Sequence, residues 1–234
     1  MPEEKKMTEQ ESLQLITSMI QKVKGSYNER GTGPILWGTV VTIASLVNYL
    51  QLEFNFELPF SIWLIVMAAI IPQIVMTIQE RKNRPHIKFE DEAINAVWFV
   101  YAFTIFGLSA YQMIVPDVTE AFIKAEGWQM LKHTIDNSKP DEHLIPFAPS
   151  FYSMYILVYA FPTLVTGITK KFKPMLIGGA LAYIFFIWSC FTATKYDMLF
   201  GAITAFFCWF VPGLILRKKW LFQKRGLTQK NANV

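Results

Sequence analysis

Apolar positions in this chain come in long unbroken blocks, with the charged residues confined to the intervals between them. Six windows, residues 31–52, 58–79, 93–116, 144–169, 174–194 and 198–216, contain no Asp, Glu, Lys or Arg, and each holds at least 19 residues. A helix rises 1.5 Å per residue, so about 20 apolar residues cross a hydrocarbon core of about 30 Å. The pattern predicts an all-α, polytopic helical membrane protein. Its six transmembrane helices fall at about 34–52, 59–78, 93–115, 150–169, 174–193 and 197–216, paired as three hairpins.

Composition agrees with that reading and excludes the obvious alternative. Hydrophobic residues make up 53% of the 234, and charged residues only 17%. A soluble domain of this size needs more charge to wet its surface. The net charge of +4 would suit a nucleic-acid partner, but the cations sort by segment. Alternate intervals, beginning with the N-terminal one, carry 18 Lys and Arg, and the others carry 4. The positive-inside rule then places both termini in the cytoplasm and the loop 116–149 outside. No basic stripe interleaves with aromatics on a soluble module, so no nucleic-acid partner is expected.

The flanking segments carry their own signals. Thr8 and Glu11 form a capping box, and Leu13, Ile16, Ile20, Val23 and Tyr27 recur at helical spacing behind them. Residues 1–33 are thus read as a cytoplasmic amphipathic helix and its lead-in. That helix lies on the inner leaflet or docks under the bundle, with residues 8–27 as the alternative surface for a protein partner or self-association. The segment has no apolar core before Pro34, so the spans themselves are expected to direct insertion. The six-helix bundle occupies 34–216. The tail 217–234 pairs basic residues with Trp220, Leu221 and Phe222, a composition that binds an anionic leaflet, and its last residues are expected to be disordered.

In the outer loop, Asp117 and Glu120 look like the start of a short amphipathic helix that ends at Gly127 beside Trp128. The chain from Lys132 to Pro149 reads as irregular. It holds the one group of residues resembling a metal ligand set, His133, Asp136, Asp141, Glu142 and His143, although their spacing matches no recognised motif. A solvated acidic loop is the plainer reading.

Within the bundle, the second helix of each hairpin carries a proline on its inner half, Pro72, Pro162 and Pro212, followed by a basic cluster. Each proline leaves the carbonyl four residues back, at Ala68, Val158 and Cys208, without its usual donor. In lipid those carbonyls need another partner, and Gln73 and Thr163 stand beside two of the prolines. The three kinks either line a polar cavity or simply fit the hairpins together. Small residues four apart, Gly178/Ala182 and Gly201/Ala205, allow close helix approach. The two cysteines, Cys190 and Cys208, are read as small buried hydrophobes at different depths.

No acidic or basic side chain is expected inside a span, and Lys195-Tyr196-Asp197 is read as a tight outer turn. Ion-coupled carriers and intramembrane proteases need ionisable groups at depth, so both are disfavoured. The chain has no phosphate loop and no nucleophile elbow, and neither an enzyme nor a cofactor is expected. The stretches ESLQLITSMIQKVK, GPILWG and IIPQI resemble a group of small bacterial multi-pass inner-membrane proteins to which no activity is attached. The resemblance covers roughly the first third of the chain, implies a bacterial inner-membrane location and carries over no functional residue. The function expected is that of a structural, interaction or regulatory membrane component. The alternative is a small transporter or channel for a neutral or weakly polar solute.

Overall fold

The structure, a computed structural model, describes residues 30–83, 89–147 and 151–232. The amphipathic helix expected at 8–27 lies outside the described residues, as do Arg84 and His86.

Helix α1 spans Thr32–Phe54. It starts behind Gly31, whose φ of +70° favours a residue without a Cβ, and carries Pro34 in its first turn, where a missing N–H costs nothing. The second apolar block is broken into α2, Leu64–Ala68, and α3, Ile70–Asn83. The break falls just ahead of Pro72, where an interior proline disturbs the ladder. Helix α4 is one continuous rod, Phe89–Ala125.

That rod corrects the expectation of a span ending at Val115 followed by a separate surface helix. Pro116 lies inside the helix, and the acids at 117 and 120 do not begin a new one. Thr119 donates its hydroxyl to the Val115 carbonyl at 2.7 Å, and Glu120 pairs with Lys124 one turn on, so the segment beyond the proline stays wound. Gly127, at φ +82°, ends it. The Gly127 N–H reaches Lys124 O and the Trp128 N–H reaches Ile123 O, the paired bonds that close a helix through a left-handed residue.

The loop after α4 is also more regular than expected. Strands β1, Leu131–Lys132, and β2, Glu142–His143, pair antiparallel, Leu131 opposite His143. Helices α5, Ser153–Thr169, and α6, Lys173–Ser189, follow as a tight hairpin. Helix α7, Thr194–Ala205, passes through one π-helical turn at Phe206–Phe210 into α8, Val211–Ala232. The basic tail is helical to Ala232, and residues 233–234, at the end expected to be disordered, lie outside the described residues.

Three of these helices, Thr32–Phe54, Glu90–Ala125 and Thr194–Arg225, are long and apolar enough to cross a membrane, and three shorter apolar helices accompany them. Buried side chains concentrate where α1, α5, α6, α7 and the π turn meet, around Val41, Ile156, Ala160, Ala182, Ala205 and Cys208. Helices α3 and α4 sit at the edge of that core. Helix α4 touches it mainly through α5. The two expected buried cysteines divide: Cys208 is buried, whereas Cys190 is exposed because α6 ends at Ser189 and leaves it on the turn before α7.

Candidate functional site

The π turn is the hub of the core. Pro212 has no N–H to offer the Cys208 carbonyl, and the chain answers by widening the preceding turn, with Val211 N–H bonding back to Phe206 O. Two neighbouring helices then press their glycines against the widened backbone. A Cβ on Gly38 of α1 would lie 2.4 Å from Phe210 N, and one on Gly178 of α6 would lie 2.5 Å from Phe207 O. Further in, a Cβ on Gly31 would meet Gly213 O at 2.4 Å. These approaches bring backbone against backbone, which only glycine permits.

Trp209 projects from the π turn into a ring of aromatics. Its ring centre lies 4.9 Å from Tyr159, 6.0 Å from Tyr101 and 6.1 Å from Trp98, within the range for edge and offset contacts. Hydroxyls take up the indole protons. Trp209 Nε1 donates to Thr163 Oγ1 at 3.0 Å, and that hydroxyl donates to the Tyr159 carbonyl at 2.8 Å. Trp98 Nε1 likewise donates to Thr166 Oγ1, which donates to the Pro162 carbonyl. Thr163, expected to serve an orphaned carbonyl, thus bridges α5 to the π turn.

The three prolines do not share one environment. Pro162 and Pro212 are fully buried against packed side chains, while Pro72 lies exposed on α3. Beside it, Gln73 accepts a hydrogen bond from Trp37 Nε1 at 3.1 Å and donates to Thr77, so it ties α3 to α1.

In the loop after α4, the metal candidates are drawn into separate pairs. His133 Nδ1 sits 2.6 Å from Asp141 Oδ1, and His143 Nε2 sits 3.3 Å from Glu120, a residue on α4 outside the expected set. Glu142 faces Lys132 across the ladder. Hydrogen bonds from the Ser138 hydroxyl and backbone N–H hold the Asp136 carboxyl below its ordinary value. Among the described residues, no three His, Cys, Asp or Glu side chains converge as a metal site needs.

Basic and aromatic side chains gather around α8. Arg30, Arg217 and Lys224 each stand within 4.9–5.7 Å of the Trp220 ring centre, and Lys219 lies over Phe172. Lys170 closes on Asp91 and Glu90, joining α5 to the start of α4.

One residue overturns an expectation outright. Helix α7 begins at Thr194, so Asp197 belongs to its first turn and not to an outer loop, and it is 1% exposed. Neither of its carboxylate oxygens has a hydrogen-bond partner among the described residues. An ionisable side chain is therefore buried in the bundle after all. The cue was available: in a helix, Asp197 points about 200° away from Lys195, which pairs with Glu53 at the rim.

No protein-family model, no curated protein and no solved structure matches this chain.

Proposed function

We propose that this chain is a six-crossing integral membrane protein with both termini in the cytoplasm, acting as a structural or interaction component of a bacterial inner membrane. The distribution of Lys and Arg supports the orientation, and the three shorter apolar helices supply the remaining crossings. The cations around Trp220 suit contact with an anionic inner leaflet.

The observation that carries the structural role is the closed hub. Pro162, Thr163, Cys208 and Pro212 are all buried, so two of the three kinks are packed together and not open to a water path. The outward faces of α4, by contrast, offer Phe99, Phe103 and Phe106 to neighbours in the membrane plane. Native Cys208 tests the hub. In a Cys190→Ser background, a small hydrophilic thiol reagent should leave Cys208 unmodified in intact membranes and label it fully after denaturation. Rapid labelling in membranes would favour a hydrated passage. A photo-crosslinker at Phe103 should give one discrete protein adduct, and adducts with lipid alone would remove the interaction role. An outside reporter signal after Arg84, or an inside one after Lys139, would overturn the topology.

The second reading, a small carrier or channel, is favoured by one observation, the buried carboxylate of Asp197.

A further inference from the structure

From Asp197 onward α7 is buried nearly all round, and its neighbours can be assigned by side. Met198 receives a hydrogen bond from Asn48 Nδ2, and the Ala202 carbonyl receives one from Thr42, so this side meets α1. Phe200 packs on Phe185 and Trp188, so that side meets α6. At about 100° per residue, Asp197 and Thr204 fall on the sector between those two sides, one above the other and about 10 Å apart along the axis. Helix α5 also contacts α7. Thr204 is, like Asp197, 1% exposed, and its hydroxyl is also without a partner among the described residues. Each of the other three helices contributes a buried hydroxyl residue, Ser45 from α1, Ser153 from α5 and Ser189 from α6.

The charged and titratable groups on these elements leave Asp197 uncompensated. Helix α1 carries Tyr49 and Glu53, and α5 carries Tyr155 and Tyr159, with Tyr152 just before it. Helix α6 carries Tyr183, with Cys190 just after it, and the π turn carries Cys208. Lys195 and Tyr196 are on α7 itself. Lys195 is spent on Glu53 at 2.8 Å. Lys170, Lys171 and Lys173 lie at the far ends of α5 and α6, a helix length away. Leaving a carboxylate charged, buried and without any donor costs several kcal/mol, and the usual resolution is to neutralise it. Ligands that coordinate a metal ion need several oxygens converging within about 2.6 Å, and Thr204 is too far along the helix to join Asp197 in that.

We infer that Asp197 is a proton-binding site: it carries its proton in the closed bundle, and losing that proton opens the outer end where α1, α5, α6 and α7 meet. The linkage follows from the packing. The neutral acid fits the dry interior, whereas the carboxylate needs water or a cation, and either requires α7 to part from its neighbours. The contacts holding that end are weak enough to yield. They comprise a half-exposed Lys195–Glu53 pair, the tilted Tyr49 and Tyr196 rings and an amide-to-sulfur hydrogen bond.

Infrared difference spectroscopy on the full-length protein in lipid nanodiscs reads the proton directly. At mildly acidic pH it should show the C=O stretch of a protonated carboxylic acid, fading as the pH is raised. The band should shift when wild-type protein is made with carboxyl-labelled aspartate, and it should vanish in Asp197→Asn. Absence of the band from folded wild-type protein, or its persistence in the variant, would overturn the assignment, as would a band that appears only on removing sodium. The labelled wild-type sample gives the answer even where the variant does not fold. Opening is read at Gly201→Cys, where a Cβ has room 3.9 Å from Ser45 Oγ. Corrected for thiol ionisation using Cys190, its alkylation should rise about tenfold as the infrared band titrates away, and stay flat with Asp197→Asn. A band that titrates with no change in alkylation would sink the coupling.

Discussion

Two apolar rods of similar length are treated in opposite ways by this fold. In α4, only 6% of the most apolar stretch is buried, whereas in the rod running from α7 through the π turn into α8 the figure is 56%. Hydrophobicity does not separate them, since lipid solvates both and offers no drive for one apolar helix to seek another. What differs is close approach: α4 hydrogen-bonds to α5, through Trp98 to Thr166 and Tyr155 to Gln112, but presses no glycine against a neighbouring backbone. The C-terminal rod meets Gly38 and Gly178 at backbone contact and gives Trp209 to Thr163. Helix α4 has Gly107, against which an added Cβ would meet nothing within 4 Å, and Thr104, whose hydroxyl turns back to its own helix at Val100. Helix association here is specified by close approach and hydrogen bonding, not by apolar surface.

The contrast is sharpest for glycine. Gly38→Leu drives a side chain into the Phe210 backbone and should cost more than about 3 kcal/mol or abolish the folded state. Gly107→Leu should stay within about 0.5 kcal/mol of wild type. Thermal unfolding in detergent, followed by size-exclusion chromatography, measures both, and equal losses would erase the distinction between the two rods. Next in size, Thr163→Val leaves the Trp209 indole N–H buried without an acceptor and should cost about 1–3 kcal/mol, with a shift in tryptophan emission. Thr104→Val, on the exposed rod, should change neither.

Smaller again is the attachment of α4. Lys170→Ala removes the partner of Asp91 and Glu90 and should cost about 1 kcal/mol. The loss should appear as faster hydrogen exchange near residues 90–98 with the exchange of α6 and α7 unchanged. A global loss of protection would mean that the edge and the core unfold together. Smallest of all, Trp37→Phe gives up one hydrogen bond to Gln73 and should loosen α3 by about 0.5–1.5 kcal/mol, measured by the same exchange experiment.

The six apolar blocks are plain in the sequence because a soluble chain seldom runs 19 residues without a charge, let alone six times over. Where the blocks end is harder to read. Acids at 117 and 120 look alike whether they start a helix or sit inside one, and only the Thr119 and Lys124 contacts decide it. Pro212 correctly marks a disturbed ladder, but nothing local says that the disturbance becomes a π turn. Its shape depends on the glycines at 38 and 178, far away in the chain on two other helices. Asp197 escapes notice because the charge gap that begins at 198 hides a helix start at Thr194. Those few residues of helix are enough to rotate the acid from the solvent side into the bundle. In the candidate metal set, sequence proximity suggests one cluster, and the β1–β2 register parts the residues into pairs.

The meeting of Gly31 and Gly38 with the far end of the chain also bears on how the protein is made. Helix α1 leaves the ribosome well before its close partners, at Ala202, Phe210 and Gly213, which come about 170 residues later. At roughly 5–20 residues per second, that is an interval of about ten to thirty seconds in which the first span stands in the membrane without its neighbours. The glycine faces of α1 must stay unclaimed until the rod from α7 through α8 has been made, so the core closes only then.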